Sequence, residues 1–389
     1  MFNMKRIGLF FLVASFVIVS CNINNNKEDL RVIDLAESFD AKKFLNLSDI
    51  ATEVEYIPLE TGNDIMIGRN PVVYATKDFI LIFTFRQILQ FNREDGAFVR
   101  EIGQIGNGPE EYTRATLLTP VEEGTQTIFA LTNNKRISYS FDGKYKGSIL
   151  LNSDVADVVK ISTNYFAGYH PNFTGNESVK VSLYDSLGNV LSKFRNHSIA
   201  PNEENAINVW NPHGWFYKFN NQTYFAELFN DTLYSINSNQ LKARYLFNLG
   251  RYSPLYKKQN TIDFASKESA NHFLFNSIFE SERYLFYTFR YRRQVITAAY
   301  DKATQAIRFS TPDDAKTIGG IVNDVHNLFP FTLSSITSND ELIGLIDAHK
   351  IVQWLSENKL EYVLSPQILN LKQISESDNP LVVIAKLKR

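Results

Sequence analysis

Few residues in this chain are spaced for chemistry. The six histidines, His170, His197, His213, His272, His326 and His349, lie far apart, and no HExxH or other close zinc spacing occurs. No G-x-S-x-G elbow is present, and no Ser-His-Asp order stands out. The carboxylate pairs Glu110–Glu111 and Asp313–Asp314 are adjacent. An extended chain points adjacent side chains to opposite faces, so neither pair is a natural acid/base couple. Asn323–Asp324 is the metal candidate, because amide and carboxylate oxygens suit Ca²⁺ or Mg²⁺. The competing reading is a turn whose side chains bond the local backbone.

Two stretches suit recognition better than catalysis. The polar loop 195–215 carries Trp210, His213 and Trp215 near its end. Indole planes beside Asn and His donors can hold a sugar or a peptide; alternatively both indoles pack a core. The segment FRYRRQ (289–294) sets three arginines among aromatics. Strand alternation would send Arg290 and Arg292 to one face, where a planar guanidinium could line a channel and meet an anion.

These residues need a scaffold, and the sequence repeats one. Alternating apolar runs joined by an Asp/Asn turn recur at 88–103, 137–151, 181–194, 231–247 and 295–309. Aligned on Phe91, Phe141, Tyr184, Tyr234 and Tyr300, they fall 50, 43, 50 and 66 residues apart. Each reads as a β-hairpin. Strand-like runs at 72–85, 127–133, 156–170, 215–228 and 283–291 precede them, giving about four strands per unit. That pattern predicts an all-β propeller of four-stranded blades. A sixth blade would take 328–347 as inner strands and 54–60 and 380–388 as outer strands, so that the chain ends close the ring. Helical spacing appears at 349–360, and 266–281 is a second helical candidate, capped by Ser266.

Composition agrees with a folded β protein. There are 30 Phe and 19 Tyr against 3 Met, a skew toward strand formers. Net charge is −2, which gives no nucleic-acid footprint. Lys5 and Arg6 precede an apolar run, Ile7–Val19, which is too short to span a membrane. Ile18-Val19-Ser20-Cys21 then resembles a lipobox, and Cys21 is the only cysteine of the chain. The expected organisation is a signal peptide over 1–20, a lipid-anchored flexible tether over 21–44 and a propeller over 45–389. The lipid on Cys21 would hold a monomeric ring at the cell envelope, in the outer membrane.

GQIGNGPEEY (103–112) follows the first outer hairpin. With Pro109 after Gly108 and no helical period beyond Tyr112, it reads as a blade-to-blade corner and not a phosphate loop. Gly103, Gly106, Gly108, Pro109, Glu111 and Tyr112 match a G-x-x-G-x-G-P-x-E-Y signature. On these residues, and on Tyr56–Thr61 and Asn379–Lys388, the chain resembles the NHL-like six-bladed β-propeller lipoproteins of Bacteroidota. The resemblance implies fold and envelope localisation and carries no agreed activity. Two functions are therefore expected: a binding or scaffold module for a glycan, peptide or envelope protein, or a metal-dependent hydrolase or lyase working in the channel.

Overall fold

The computed structural model describes residues 30–388, except 63–64, 69, 114–120, 133–134, 152–154, 173–175, 198–213, 238–239, 255–266, 312–318 and 359–365. Six four-stranded antiparallel blades form the ring. Blade one is β3 (Val72–Ala75), β4 (Phe79–Phe83), β5 (Ile88–Asn92) and β6 (Phe98–Glu101). Blade two is β7 (Val121–Glu122), β8 (Thr127–Thr132), β9 (Lys135–Ser140) and β10 (Tyr145–Leu150). Blade three is β11 (Asp157–Ser162), β12 (Tyr165–Tyr169), β13 (Val179–Asp185) and β14 (Val190–Arg195). Blade four is β15 (Gly214–Phe219), β16 (Gln222–Glu227), β17 (Thr232–Ile236) and β18 (Leu241–Phe247). Blade five is β19 (Leu274–Glu280), β20 (Tyr284–Tyr291), β21 (Gln294–Asp301) and β22 (Ile307–Phe309).

Blade six is built from both ends of the chain. Its order is β25 (Leu333–Ile336), β26 (Glu341–Ile346), β27 (Leu381–Leu387) and β2 (Ala51–Pro58). The β2–β27 register runs from Ala51↔Leu387 to Pro58↔Leu381, so the ring is shut by a full antiparallel ladder and the edges of the terminal strands are covered. A small hairpin, β23 (Ile321–Asn323) and β24 (Leu328–Phe331), precedes this blade.

Both faces of a blade are buried, because each blade packs on two neighbours. Apolar clusters fill the seams. Leu81, Ile128 and Ile137 meet between blades one and two, and Phe129, Val158 and Phe166 between two and three. Val181, Phe216 and Phe225 meet between three and four. Burying each such side chain contributes about 1.5–3 kcal/mol, which makes the seams the main source of stability.

Two stretches depart from the sequence-based expectation. The 266–281 stretch is not a helix. Ser269–Asn271 makes one 3₁₀ turn, and Leu274–Glu280 is the innermost strand of blade five. Phe273 and Phe275 are buried there, and strand pairing with β20 overrides the weak helical spacing. Ser266 lies outside the described residues. The structured chain also begins before residue 45: β1 (Arg31–Ile33) adds to blade four parallel to β18, and α1 (Leu35–Ala41) follows. Leu35 and Phe39 are buried, so this stretch is anchored to the ring by its apolar side chains. The helix expected at 349–360 is observed as Ala348–Glu357.

Candidate functional site

The innermost strands of a propeller run in one direction, which gives the ring a starting end and a finishing end. The signature corner lies at the starting end, between blades one and two. Glu111 organises it: its Oε2 accepts the Gly108 N–H at 2.7 Å and its Oε1 accepts Gln104 Nε2 at 2.6 Å. These bonds, the Gly108 amide first, hold the Glu111 carboxyl below its usual pKa. A Cβ on Gly106 would collide with the Glu111 carboxylate, and one on Gly108 would come within 2.9 Å of it. Gly103 has φ +61° and lies against the Tyr139 ring, where a side chain would not fit. Tyr112 is buried beneath, and the Pro109 carbonyl accepts Lys135 Nζ at 2.5 Å. The glycines thus leave room for one carboxylate that ties the corner together.

At the finishing end, side chains from separate blades join across the ring. Glu122 of β7 receives Lys160 of β11 at 3.5 Å and Lys218 of β15 at 3.2 Å. Burial pushes the Lys218 ammonium below its usual pKa. Asn220 reaches Glu282 at 2.7 Å, and Ser338 bonds Glu123. These groups tie blades two, three, four, five and six together. A polar cleft of about 740 Å³ lies at the rim between blades six and one. Its Arg93 is already held by Glu341 through two bonds of 2.8 Å, so the cleft presents paired charge.

Asn323 and Asp324 serve the β23–β24 turn. Asp324 accepts the Ser48 N–H at 2.9 Å and the Ser48 hydroxyl at 2.5 Å. Asn323 Nδ2 donates to the Tyr56 hydroxyl at 2.8 Å, and its Oδ1 accepts the His326 N–H at 3.4 Å. Burial raises the Tyr56 phenol to about 12 and lowers His326. This is the turn-capping arrangement, and among the described residues no three His, Cys, Asp or Glu gather as metal ligands. His170 Nε2 lies 2.7 Å from Ser182 Oγ, but that hydroxyl is buried in a sheet and offers no nucleophile to a substrate.

Of the recognition candidates, the structure describes Trp215 on blade four and Arg290 and Arg292 on blade five. Trp210 and His213 lie outside the described residues. Trp215 is the second residue of β15 and is buried in the blade four–five seam, so it supplies core and not an exposed indole. Arg290 and Arg292 do not share an inner-strand face. Tyr291 pairs with Gln294, so Arg292 and Arg293 are the two tip residues of the β20–β21 turn, with φ +50° and +67°. Arg290 and Arg292 are exposed there, away from the channel. Beneath them Tyr291 packs edge-on against Phe39, Tyr252 and Phe273, which fixes the turn on a rigid base.

That turn is unusual for its sequence. Two-residue turns with positive φ at both positions favour Asn and Gly. A two-residue turn of the same kind at the finishing end of blade four, between β15 and β16, uses Asn220–Asn221, at φ +49° and +58°. Blade five instead places arginines where the left-handed conformation costs about 1–2 kcal/mol per residue. Sequence reasoning singled out the arginines and missed the turn, because FRYRRQ lacks the Asn-Gly signal.

A family profile described as a domain of unknown function, DUF4934, matches residues 30–386. No curated protein matches the chain. Among solved structures, a Bacteroides fragilis protein described as exported superposes with a TM-score of 0.70 at 17% identity, covering 93% of this chain and 100% of its own. A duf4221 member from Bacteroides vulgatus gives a TM-score of 0.46 at 11% identity, covering 87% of this chain and 97% of its own.

Proposed function

The chain belongs to the DUF4934 family, and we propose that it is an envelope β-propeller that binds a glycan, peptide or envelope protein. Recognition uses the starting end of blades four and five. One observation carries the reading: guanidinium groups occupy a left-handed turn that Asn or Gly would fill at lower cost. Arg290 and Arg292 present forked donors on a fixed aromatic base, which suits carboxylate, sulfate or phosphate groups on a partner. Trp210 and His213 precede Gly214, the first residue of β15 on the neighbouring blade four. Export is supported by the signal-like segment before Cys21 and by the similarity to the Bacteroides fragilis protein described as exported. A lipid on Cys21 would leave the fold at the outer edge of blade four, where β1 docks.

Exchanging Arg292–Arg293 for Asn–Gly tests the reading. The expected protein melts higher, because turn strain is relieved, and binds acidic glycans and peptides from a mixed panel more weakly. Equal binding by the exchanged protein would overturn the reading that the turn arginines bind the partner.

A further inference from the structure

Arg136 of β9 points into the seam between blades two and three and is 4% exposed. Its guanidinium carbon lies 3.4 Å from the Phe129 ring centre and 5.6 Å from that of Phe166. Its Nε is buried without an acceptor, and among the described residues no ion pair or hydrogen bond to the guanidinium is formed.

The neighbouring carboxylates are committed elsewhere. Asp157 Oδ1 accepts the Val158 N–H at 2.8 Å and Oδ2 the Phe216 N–H at 3.3 Å. Glu122 is taken by Lys160, Lys218 and the Thr125 hydroxyl. Arg136 shares one electrostatic neighbourhood with these groups: Asp157 and Glu122 favour its charge, and that charge in turn disfavours protonation of Lys218. Arg136 thus lies near two carboxylates whose oxygens already have other partners. An arginine is not relieved by losing its proton, and its five N–H donors require acceptors when buried. Aromatic faces answer the charge but accept no N–H fork.

We propose that the seam beside Arg136 binds a small oxyanion, a carboxylate or sulfate group, with the Arg136 fork as its direct donor. Lys218 and Lys160 add long-range attraction. This interior site is separate from the surface at Arg290 and Arg292, so either proposal can fail alone.

The test is thermal melting and calorimetry of the protein at constant ionic strength. Chloride is replaced stepwise by sodium sulfate in one arm and by sodium D-glucuronate in another, with D-glucose as the neutral control. The expected result is a saturable rise in Tm with one or both anions and none with glucose. Arg136→Met, which keeps the volume and removes the charge, is expected to weaken anion binding about tenfold or more. Arg136→Lys, which keeps the charge and loses the fork, is expected to lie between. Wild type without a saturable shift, with solvent alone satisfying the guanidinium, would overturn the proposal. So would an unchanged affinity in Arg136→Met or, should that variant not fold, in Arg136→Lys.

Discussion

Glu111 shows how much one side chain can decide. It caps the Gly108 amide and holds Gln104, and Gly106 exists to make space for it. Its folded pKa is depressed, so its stabilisation is complete above the unfolded value of about 4.3 and is lost as pH falls through the folded value. Glu111→Gln is therefore expected to melt lower than wild type at pH 7, with the gap closing in acid; melts across pH check this. Gly106→Ala should lower Tm at neutral pH by expelling the same carboxylate. The signature was legible as a corner because glycines and a proline punctuate it, while the role of Glu111 needed the fold. Arg136 was not legible at all. Strand alternation in KRISYS assigns it to a polar, solvent-facing side, yet a propeller blade has no such side.

Hairpins were the most legible elements, since period-2 patterning and Asp/Asn turns mark each one locally. The N-terminal segment was the least, because Arg31–Ala41 is too short for a period to emerge and its order comes from tertiary contacts. Phe39 meets Tyr252, Phe273, Phe289, Tyr291 and Phe309 edge-on, with ring centres 5.0–5.9 Å apart. Phe39→Ala should cost about 3–5 kcal/mol, read as a lower denaturant midpoint. The same change should loosen the base under Tyr291, and so weaken binding through Arg290 and Arg292 as well. The misassigned 266–281 stretch teaches the converse: Ser, Asn and Phe at mixed spacing carried a helical period that pairing with β20 outweighed.

The whole ring depends on contacts between the two ends of the chain. β2 and β27 pair along their length, and Lys388 Nζ reaches the Ser48 carbonyl at 2.5 Å. Removing residues 380–389 should open blade six and abolish the cooperative melt, while a shorter cut at 389 alone should not. This closure was readable from two apolar strands at opposite ends of the sequence, whereas the partner was not, since binding chemistry resides in side chains placed by the fold. The most direct test of the binding account is titration calorimetry of the protein against a mixed panel of acidic and neutral glycans and peptides. The account predicts saturable heats with acidic members, reduced when Arg292–Arg293 is exchanged for Asn–Gly, and no sustained heat flow. Continuous heat of turnover, or saturation indifferent to that exchange, would contradict it.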